Sequence, residues 1–548
     1  MLMPLTTEQR QWVDTTLNAM TLPQCAGQLL CPFSPRYTTA DWLDLLRKVP
    51  IGSLTVRRSS SIDLREQMQT LQDQSAVPLL VTADLENGAV ALTDGTEFPW
   101  MMGAGAANDA DLMMIMGQAT AAEARYAGLH WTFSPVVDLN YNFNNPITNV
   151  RALGDQPERV SRLATAYVRG LQAGGLLAAT AKHFPGDGVD DRDQHLCSTV
   201  NSLPFEQWQA TYGHVWRAII EAGVMCVMPG HISLPDYQGF ADRPEHAPPA
   251  TLSRRLLNEL LREELGFEGL IISDASGMIG LASRVSSQER VVQCIKSGVD
   301  VYLFPDTLED FERLIQAVEQ GRLSEDRVRQ AARRVLELKA RLNLHRDPFG
   351  PRPSAADKSR YQQAAQAMAE KSITVLRSDG RPPLGLKPGS RVLTVTIGHL
   401  SPFSRFRSMP DLDAFDDELR QRGFSVEHLL NPEDDLLLAK AAEHETVFIN
   451  LVALPYMVLG TIRNLVGHLE YWKWRSLHME HPQVLFTSFG NPYVLHEMPH
   501  LPNLLVAYGD SDVSQRAAAK VWLGEIGVQG DCPVNLPKIT IQPLSTCG

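Results

Sequence analysis

The sequence predicts a two-domain α/β protein: a (β/α)8 TIM-type barrel over residues 1–340, a linker at 341–370, and an α/β/α three-layer sandwich over 371–548. Three observations carry this. Eight short apolar runs alternate with helix-period segments across the first 340 residues, which is what a closed parallel barrel needs. Polar residues stand repeatedly at the C-terminal ends of those runs, the face on which barrels of this kind place chemistry. A proline-rich break then leads into five more strand–helix alternations. An open doubly wound sheet also alternates, so the count alone leaves both topologies open.

Barrel strands are expected near 29–33, 52–56, 78–84, 131–137, 176–182, 224–230, 269–274 and 299–304. Between them, apolar residues recur at helical spacing in Asp41–Lys48, Asp109–Gly128, Pro157–Ala173, Pro204–Ala222, Leu252–Leu265 and Gln288–Ser297. Ser253 precedes one helix body, and Gly128, Gly174, Gly223, Gly266 and Gly298 stand just past five helix ends, where a left-handed residue closes the last turn. Asp84, Asp138, Lys182-His183, His231, Asp274 and Asp306 fall at or just beyond strand ends. His345 to Pro353 reads as an extended, proline-rich linker. Beyond it, strands are expected at Arg391–Ile397, Phe424–Leu430, Thr446–Val452, Gln483–Phe489 and Leu504–Tyr508, with helices at Asp411–Arg422, Thr461–Leu477 and Ser514–Leu523. That alternation is the pattern of a three-layer domain.

Composition bounds the function. A formal charge of −13 argues against nucleic acid or an anionic membrane surface as partner, since both select basic proteins. No apolar run approaches the ~20 residues of a membrane span, and Met1 to Leu22 lacks the apolar core of a signal peptide. Seven scattered cysteines, none in a Cys-x-x-Cys pair, read as reduced thiols of a cytoplasmic protein. The sequence is silent on oligomeric state.

The densest chemistry lies between Lys182 and His195. Lys182, His183, His195 and four aspartates (Asp187, Asp190, Asp191, Asp193) fall within fourteen residues, directly after the apolar run Leu176 to Ala181. A charged, glycine-containing loop that follows a strand is where a scaffold presents ligand-binding groups. A solvated acidic turn would explain the aspartates but not the lysine and histidines. Asp274 ends the apolar run Gly269 to Ser273, which delivers a carboxylate to the barrel rim, as a nucleophile requires. His195 follows Asp193 by two residues, and such a carboxylate can orient an imidazole and tune it as a general acid/base.

These residues carry a resemblance. Ala181 to Gly188, reading Ala-Lys-His-Phe-Pro-Gly-Asp-Gly, followed by Asp193-Gln194-His195, resembles the Lys-His-Phe-Pro-Gly-His-Gly…Asp-Ser-His signature of glycoside hydrolase family 3, in its NagZ-type β-N-acetylglucosaminidase branch. Asp84-Leu85-Glu86-Asn87-Gly88, Phe133 to Asp138, Asn145 to Gly154 with Arg151, Ile272 to Ala275 and, in the C-terminal half, Gly490 to Tyr493 agree with it in family order. The resemblance implies a retaining exo-β-glycosidase that needs no cofactor and no metal, acts on carbohydrate and releases N-acetylglucosamine. It implies Asp274 as nucleophile, His195 on a mobile loop as acid/base backed by Asp193, and Asp84, Arg151, Lys182 and His183 as ligands of the sugar hydroxyls. The chain departs from the pattern at Asn87, Ala89 and Leu92, where a glycine and two arginines are usual, and at Asp187, where a histidine is usual. These changes put the sugar and the aglycone in question.

Three other readings stay open on the residues alone. A β-glycoside phosphorylase would use the same groups with phosphate as the second nucleophile. His183, Asp187, Asp191 and His195 offer nitrogen and oxygen donors to a metal, without a clean ligand spacing. A sugar-binding homologue without catalysis would retain the clamp but have no use for Asp274 and His195.

Overall fold

A computed structural model describes residues 2–34, 36–378, 388–398, 412–452, 454 and 472–536. The chain forms two compact units. The first comprises Met1–Glu97, Ala110–Asn142 and Pro157–Gln362; the second comprises Phe98–Asp109, Phe143–Gln156 and Gln363–Gly548. The units are therefore interleaved in sequence, where a single boundary near 341–370 was expected.

In the first unit, eight short parallel strands close a ring. They are β1 (Leu30–Cys31), β2 (Ser53–Thr55), β3 (Leu80–Ala83), β4 (Trp131–Thr132), β5 (Ala178–Phe184), β7 (Cys226–Pro229), β9 (Leu270–Ile271) and β10 (Tyr302–Leu303). Six pair in the order β2-β3-β4-β5-β7-β9, and β1 pairs with β10. The bridges Phe33↔Thr55 and Ile272↔Val301 join the two sets and complete the barrel. Seven strands fall within their expected runs, and β5 overlaps the run 176–182 and extends two residues beyond it to Phe184. A further parallel pair, β6 (Thr199–Val200) with β8 (Ile232–Ser233), lies outside the ring and was not expected.

The outer helices form where apolar residues repeat on one face. In Pro157–Gln172, Val160, Leu163, Ala164, Tyr167, Val168 and Leu171 are all buried, a stripe that requires the 3.6-residue period. Ser253 accepts a hydrogen bond from the Leu256 N–H, as an N-cap does, and the five expected C′ glycines all carry positive φ. The barrel interior packs Leu80, Trp131, Phe133, Cys226, Met228 and Ile272 against Val335 and Leu338 of the closing helix Glu325–Arg341 and against its C-cap Leu342. Lys339 of that helix is fully buried and donates to Gln28 Oε1 at 2.6 Å, while Gln28 Nε2 donates to Pro50 O. Gln28 and Pro50 precede β1 and β2, so this lysine lies at the N-terminal end of the barrel, away from the strand ends that carry the candidate chemistry.

The segment expected to be a linker is largely fastened down. The Asp347 and Pro348 carbonyls accept from Arg125 and pair with His130, the Gly350 N–H donates to Arg125 O, and Phe349 is buried. Ala355–Ser372 is a helix.

The second unit is built on a six-stranded sheet in the order β11-β16-β15-β14-β12-β13. Its strands are β11 (Thr374–Arg377), β12 (Arg391–Gly398), β13 (Ser425–Leu430), β14 (Thr446–Val452), β15 (Val484–Ser488) and β16 (Leu504–Val506). Five match the expected runs and are mutually parallel; β11, antiparallel to β16, was missed. Helices Asp413–Gln421 and Asp512–Trp522 correspond to two of the expected three. The third, expected over 461–477, lies mostly outside the described residues. The inserted segments are part of this unit's core: Met102, Ala106 and Val150 pack with Ile373, Leu505 and Tyr508. Polar ties reinforce them, from the Asp531 N–H to Ala106 O and from Asn535 to Asp155 Oδ2.

Candidate active site

The rim at the C-terminal ends of β3, β5, β7 and β9 gathers most of the expected site residues. β5 pairs regularly with β7 up to Lys182, then loses register between Lys182 and Phe184. Such an irregularity re-aims side chains next to functional sites. Here it lets consecutive residues both serve the rim. Lys182 Nζ lies 2.8 Å from Glu86 Oε1 and 3.3 Å from Asp84 Oδ1. Lys182 and Glu86 are buried, whereas Asp84 is exposed. His183 turns to the other side: its Nδ1 is 2.7 Å from Asp138 Oδ2, its N–H donates to Asp138 Oδ1, and its Nε2 is 3.9 Å from Asp274 Oδ2. Because a carboxylate only accepts, Nδ1 carries a proton and Nε2 faces Asp274.

Asp274 follows β9, with Oδ1 accepting from the Ala275 N–H at 2.7 Å. Burial by itself raises a carboxyl pKa. His183, His231 and His195 and the Ala275 N–H outweigh that cost and hold Asp274 below the usual carboxylate range. The group is thus an anion at neutral pH, as a nucleophile must be.

His195 pairs with buried Asp193: Nδ1 lies 2.7 Å from Asp193 Oδ1, which also accepts the His195 N–H at 2.8 Å. The ring is fixed with Nδ1–H on the carboxylate, leaving Nε2 to hold or take a proton. The loop was expected to be mobile. In this structure its His195 and Gln194 carbonyls accept from the Ile279 and Gly280 N–H groups, and Ser198 Oγ donates to Gly280 O, so it is tied to the segment after Asp274.

Arg151 belongs to the second unit, on the turn Asn149–Arg151, and donates to Ile147 O at 3.2 Å. Asp306, one of the strand-end residues, is exposed at the start of helix Thr307–Glu319, where its N–H donates to Asp310 Oδ2. Asp190 is structural, paired with Arg192 and accepting the Val200 N–H. Among the described residues there is no group of three or more His, Cys, Asp or Glu that could hold a metal ion, so His183, Asp187, Asp191 and His195 do not converge as a ligand set.

Glu86, Asp138 and His231 were not singled out as site residues. Glu86 neutralises Lys182, and Asp138 orients His183. His231 is buried, with Nε2 3.0 Å from Ala275 O and Nδ1 3.0 Å from Thr251 Oγ1. A carbonyl only accepts, so Nε2 carries the proton and the Thr251 hydroxyl donates to Nδ1. Burial lowers the pKa of His231, consistent with a neutral ring bonded to the backbone next to Asp274. The available signals were the Asp-x-Glu spacing for Glu86 and the strand-end positions of Asp138 and His231.

Residues 21–338 match the Glycosyl hydrolase family 3 N terminal domain, and the chain belongs to glycosyl hydrolase family 3. Over its whole length it is similar to a beta-N-acetylglucosaminidase/beta-glucosidase of Cellulomonas fimi, with 34% identity over 547 residues covering 96% of this chain and 95% of the other. Among solved structures, a beta-glucoside phosphorylase bound to 2FGlc superposes with a TM-score of 0.87 at 30% identity, covering 97% of both chains. A family 3 beta-N-acetylglucosaminidase from Paenibacillus sp. str. FPU-7 superposes with a TM-score of 0.84 at 28% identity, covering 94% of this chain and 99% of the other.

Proposed function

We propose that the protein is a retaining exo-β-glycosidase that releases N-acetylglucosamine from non-reducing ends by double displacement. The observation that carries this is the pairing of an ionised, histidine-ringed Asp274 with the Asp193–His195 dyad on one barrel rim. In the first step an Asp274 oxygen attacks the anomeric carbon while His195 Nε2–H protonates the departing glycosidic oxygen, giving a glycosyl ester and the free aglycone. In the second, His195 Nε2 takes a proton from water, whose oxygen attacks the anomeric carbon and releases the Asp274 carboxylate. Two inversions leave the configuration retained. Asp84, Lys182 and His183 hold the sugar hydroxyls, and the family pattern adds Arg151. Asp193 stabilises the imidazolium that forms when His195 is protonated. The relatives' names support N-acetylglucosamine as the sugar. Free Cys25, Cys31, Cys197, Cys226, Cys294 and Cys532 support a reducing, cytoplasmic setting, and no helix among the described residues is long and apolar enough to cross a membrane.

A second reading, phosphorolysis, is favoured by the acid/base itself. A histidine lacks the fixed negative charge of a carboxylate and repels an incoming phosphate less, and one structural neighbour is named a phosphorylase. One experiment separates the two. Aryl β-N-acetylglucosaminide and aryl β-glucoside are incubated with and without phosphate, and products are resolved by NMR. Free β-sugar as first product in both conditions supports hydrolysis; sugar 1-phosphate with phosphate supports phosphorolysis; no turnover of any aryl glycoside refutes both.

A further inference from the structure

From the packing around the acid/base loop, we infer that Gln194 is a positioning residue that locks His195 against the nucleophile-bearing strand end. This inference rests on the assignment of His195 as acid/base. Gln194 lies between the two members of the dyad and is fully buried, where an amide must find partners on both ends. Its Oε1 accepts the His231 N–H at 2.8 Å, and its Nε2 donates to Asp187 Oδ2 at 3.4 Å. Its own carbonyl accepts the Gly280 N–H at 3.0 Å. One residue thus ties the loop after β5, the loop after β7 and the segment after β9 together. The tie continues to the nucleophile, because His231 bonds Ala275 O next to Asp274.

The spacing between these loops leaves no slack. A Cβ on Gly280 would sit 2.7 Å from Gln194 O and 2.8 Å from His231 Cβ; one on Gly230 would sit 3.0 Å from both Gln194 Oε1 and His183 Cβ. Glycine at both positions is what lets the loop seat. The two ends of the weaker bond are also two departures from the family string, which has histidine where Asp187 stands and serine where Gln194 stands. The Gln194 amide reaches the Asp187 carboxylate. Asp187 itself is anchored through its N–H to Asp138 Oδ1 at 2.7 Å, the same oxygen that accepts the His183 N–H. The lock is continuous with the groups that orient the sugar-facing histidine.

A lock on the acid should matter most where the acid matters. With the full-length protein, kcat/KM is measured across pH for a dinitrophenyl glycoside, which needs little protonation, and for a methoxyphenyl glycoside, which needs much. Gln194→Met keeps the volume and removes the amide; the expected loss is about tenfold for the poor leaving group, part of the 10²–10⁴ a general acid supplies, and under about threefold for the good one. Gln194→Glu replaces the donor to Asp187 by a like charge and should show the same selective loss. Gln194→Glu combined with Asp187→Asn restores one donor and one acceptor at constant charge, and should recover most of the loss. Equal losses for both substrates, unchanged kinetics, or no recovery in the folded double variant would overturn the inference. His195→Ala run on the same two substrates keeps the outcomes apart. If it shows leaving-group selectivity and Gln194→Met does not, the lock fails alone; if it shows none, the acid/base assignment has failed first.

Discussion

Replacing Lys339 by Met should stabilise the protein near neutral pH and leave activity intact. Among the described residues the ammonium's hydrogen bond goes to Gln28 Oε1 and not to a carboxylate, and burial drops its pKa from 10.5 to about 7. The folded state therefore releases a proton that the unfolded chain keeps. A depressed folded value means that stability from this site is present above the unfolded pKa and is lost as pH falls through the window from about 10.5 to about 7. Each pH unit in that window costs about 1.4 kcal/mol, so the wild-type penalty is about 5 kcal/mol at and below pH 7 and about 2 kcal/mol at pH 9. Met removes it but orphans the buried Gln28 carbonyl oxygen, at about 1–3 kcal/mol. The net is a gain of about 2–4 kcal/mol at pH 7 and near parity at pH 9. Urea titrations followed by fluorescence of buried Trp131, Trp208 and Trp216 give the comparison, and groups common to both proteins cancel. Superimposable pH dependence of wild type and variant, or a destabilised Lys339→Met at pH 7, refutes the reasoning.

Four further outcomes concern the site. Asp274→Ala should abolish nearly all turnover with unchanged circular dichroism, and a slow fluorinated glycoside should label the wild-type peptide containing Asp274; full activity in the folded variant excludes it as nucleophile. His195→Ala should lose about 10²–10⁴ in rate on natural aglycones and far less in the glycosylation step of activated aryl glycosides, with Asp193→Ala giving a milder form, as read by pre-steady-state bursts. Glu86→Gln breaks the 2.8 Å pair with buried Lys182 and should cost about 3 kcal/mol of stability together with a raised KM, measured by thermal melts and steady-state kinetics. Glu497, at the end of the short helix Val494–Glu497 of the second unit, is another carboxyl group of the chain. Glu497→Gln should keep kcat within a few-fold of wild type if the Asp193–His195 dyad is the acid, and loss of activity in the folded variant would reassign that role.

The barrel was legible because its strands are buried on both faces and so read as continuous apolar runs, punctuated by glycines that end helices. The rim chemistry was legible because strand ends are fixed in sequence: Asp274 and His183 could be placed by counting. Harder to see were the groups that act through others. Glu86, Asp138, His231 and Gln194 acquire their meaning from partners up to about 100 residues away, and no local spacing encodes a bond between separate loops. Asp190 shows the converse, a charge in the right loop whose partner is its near neighbour Arg192. The interleaving of the two units escaped for a related reason. Met101–Ala107 and 143–156 have the polarity of ordinary barrel elaborations, and nothing in them announces that their apolar residues belong to a core built from the C-terminal third of the chain.

That interleaving also sets a timetable for synthesis. Met102, Ala106 and Val150 leave the ribosome early, yet the sheet against which they pack ends at Val506. At roughly 5–20 residues per second, the roughly 400 intervening residues take about 20–80 s to emerge. For that interval three apolar side chains on a nascent, half-finished protein lack most of the core they share with the C-terminal sheet. A chaperone docking to the nascent chain should therefore dwell on the stretch around 100–150, and a C-terminal fragment expressed without that stretch should aggregate unless it is supplied in trans.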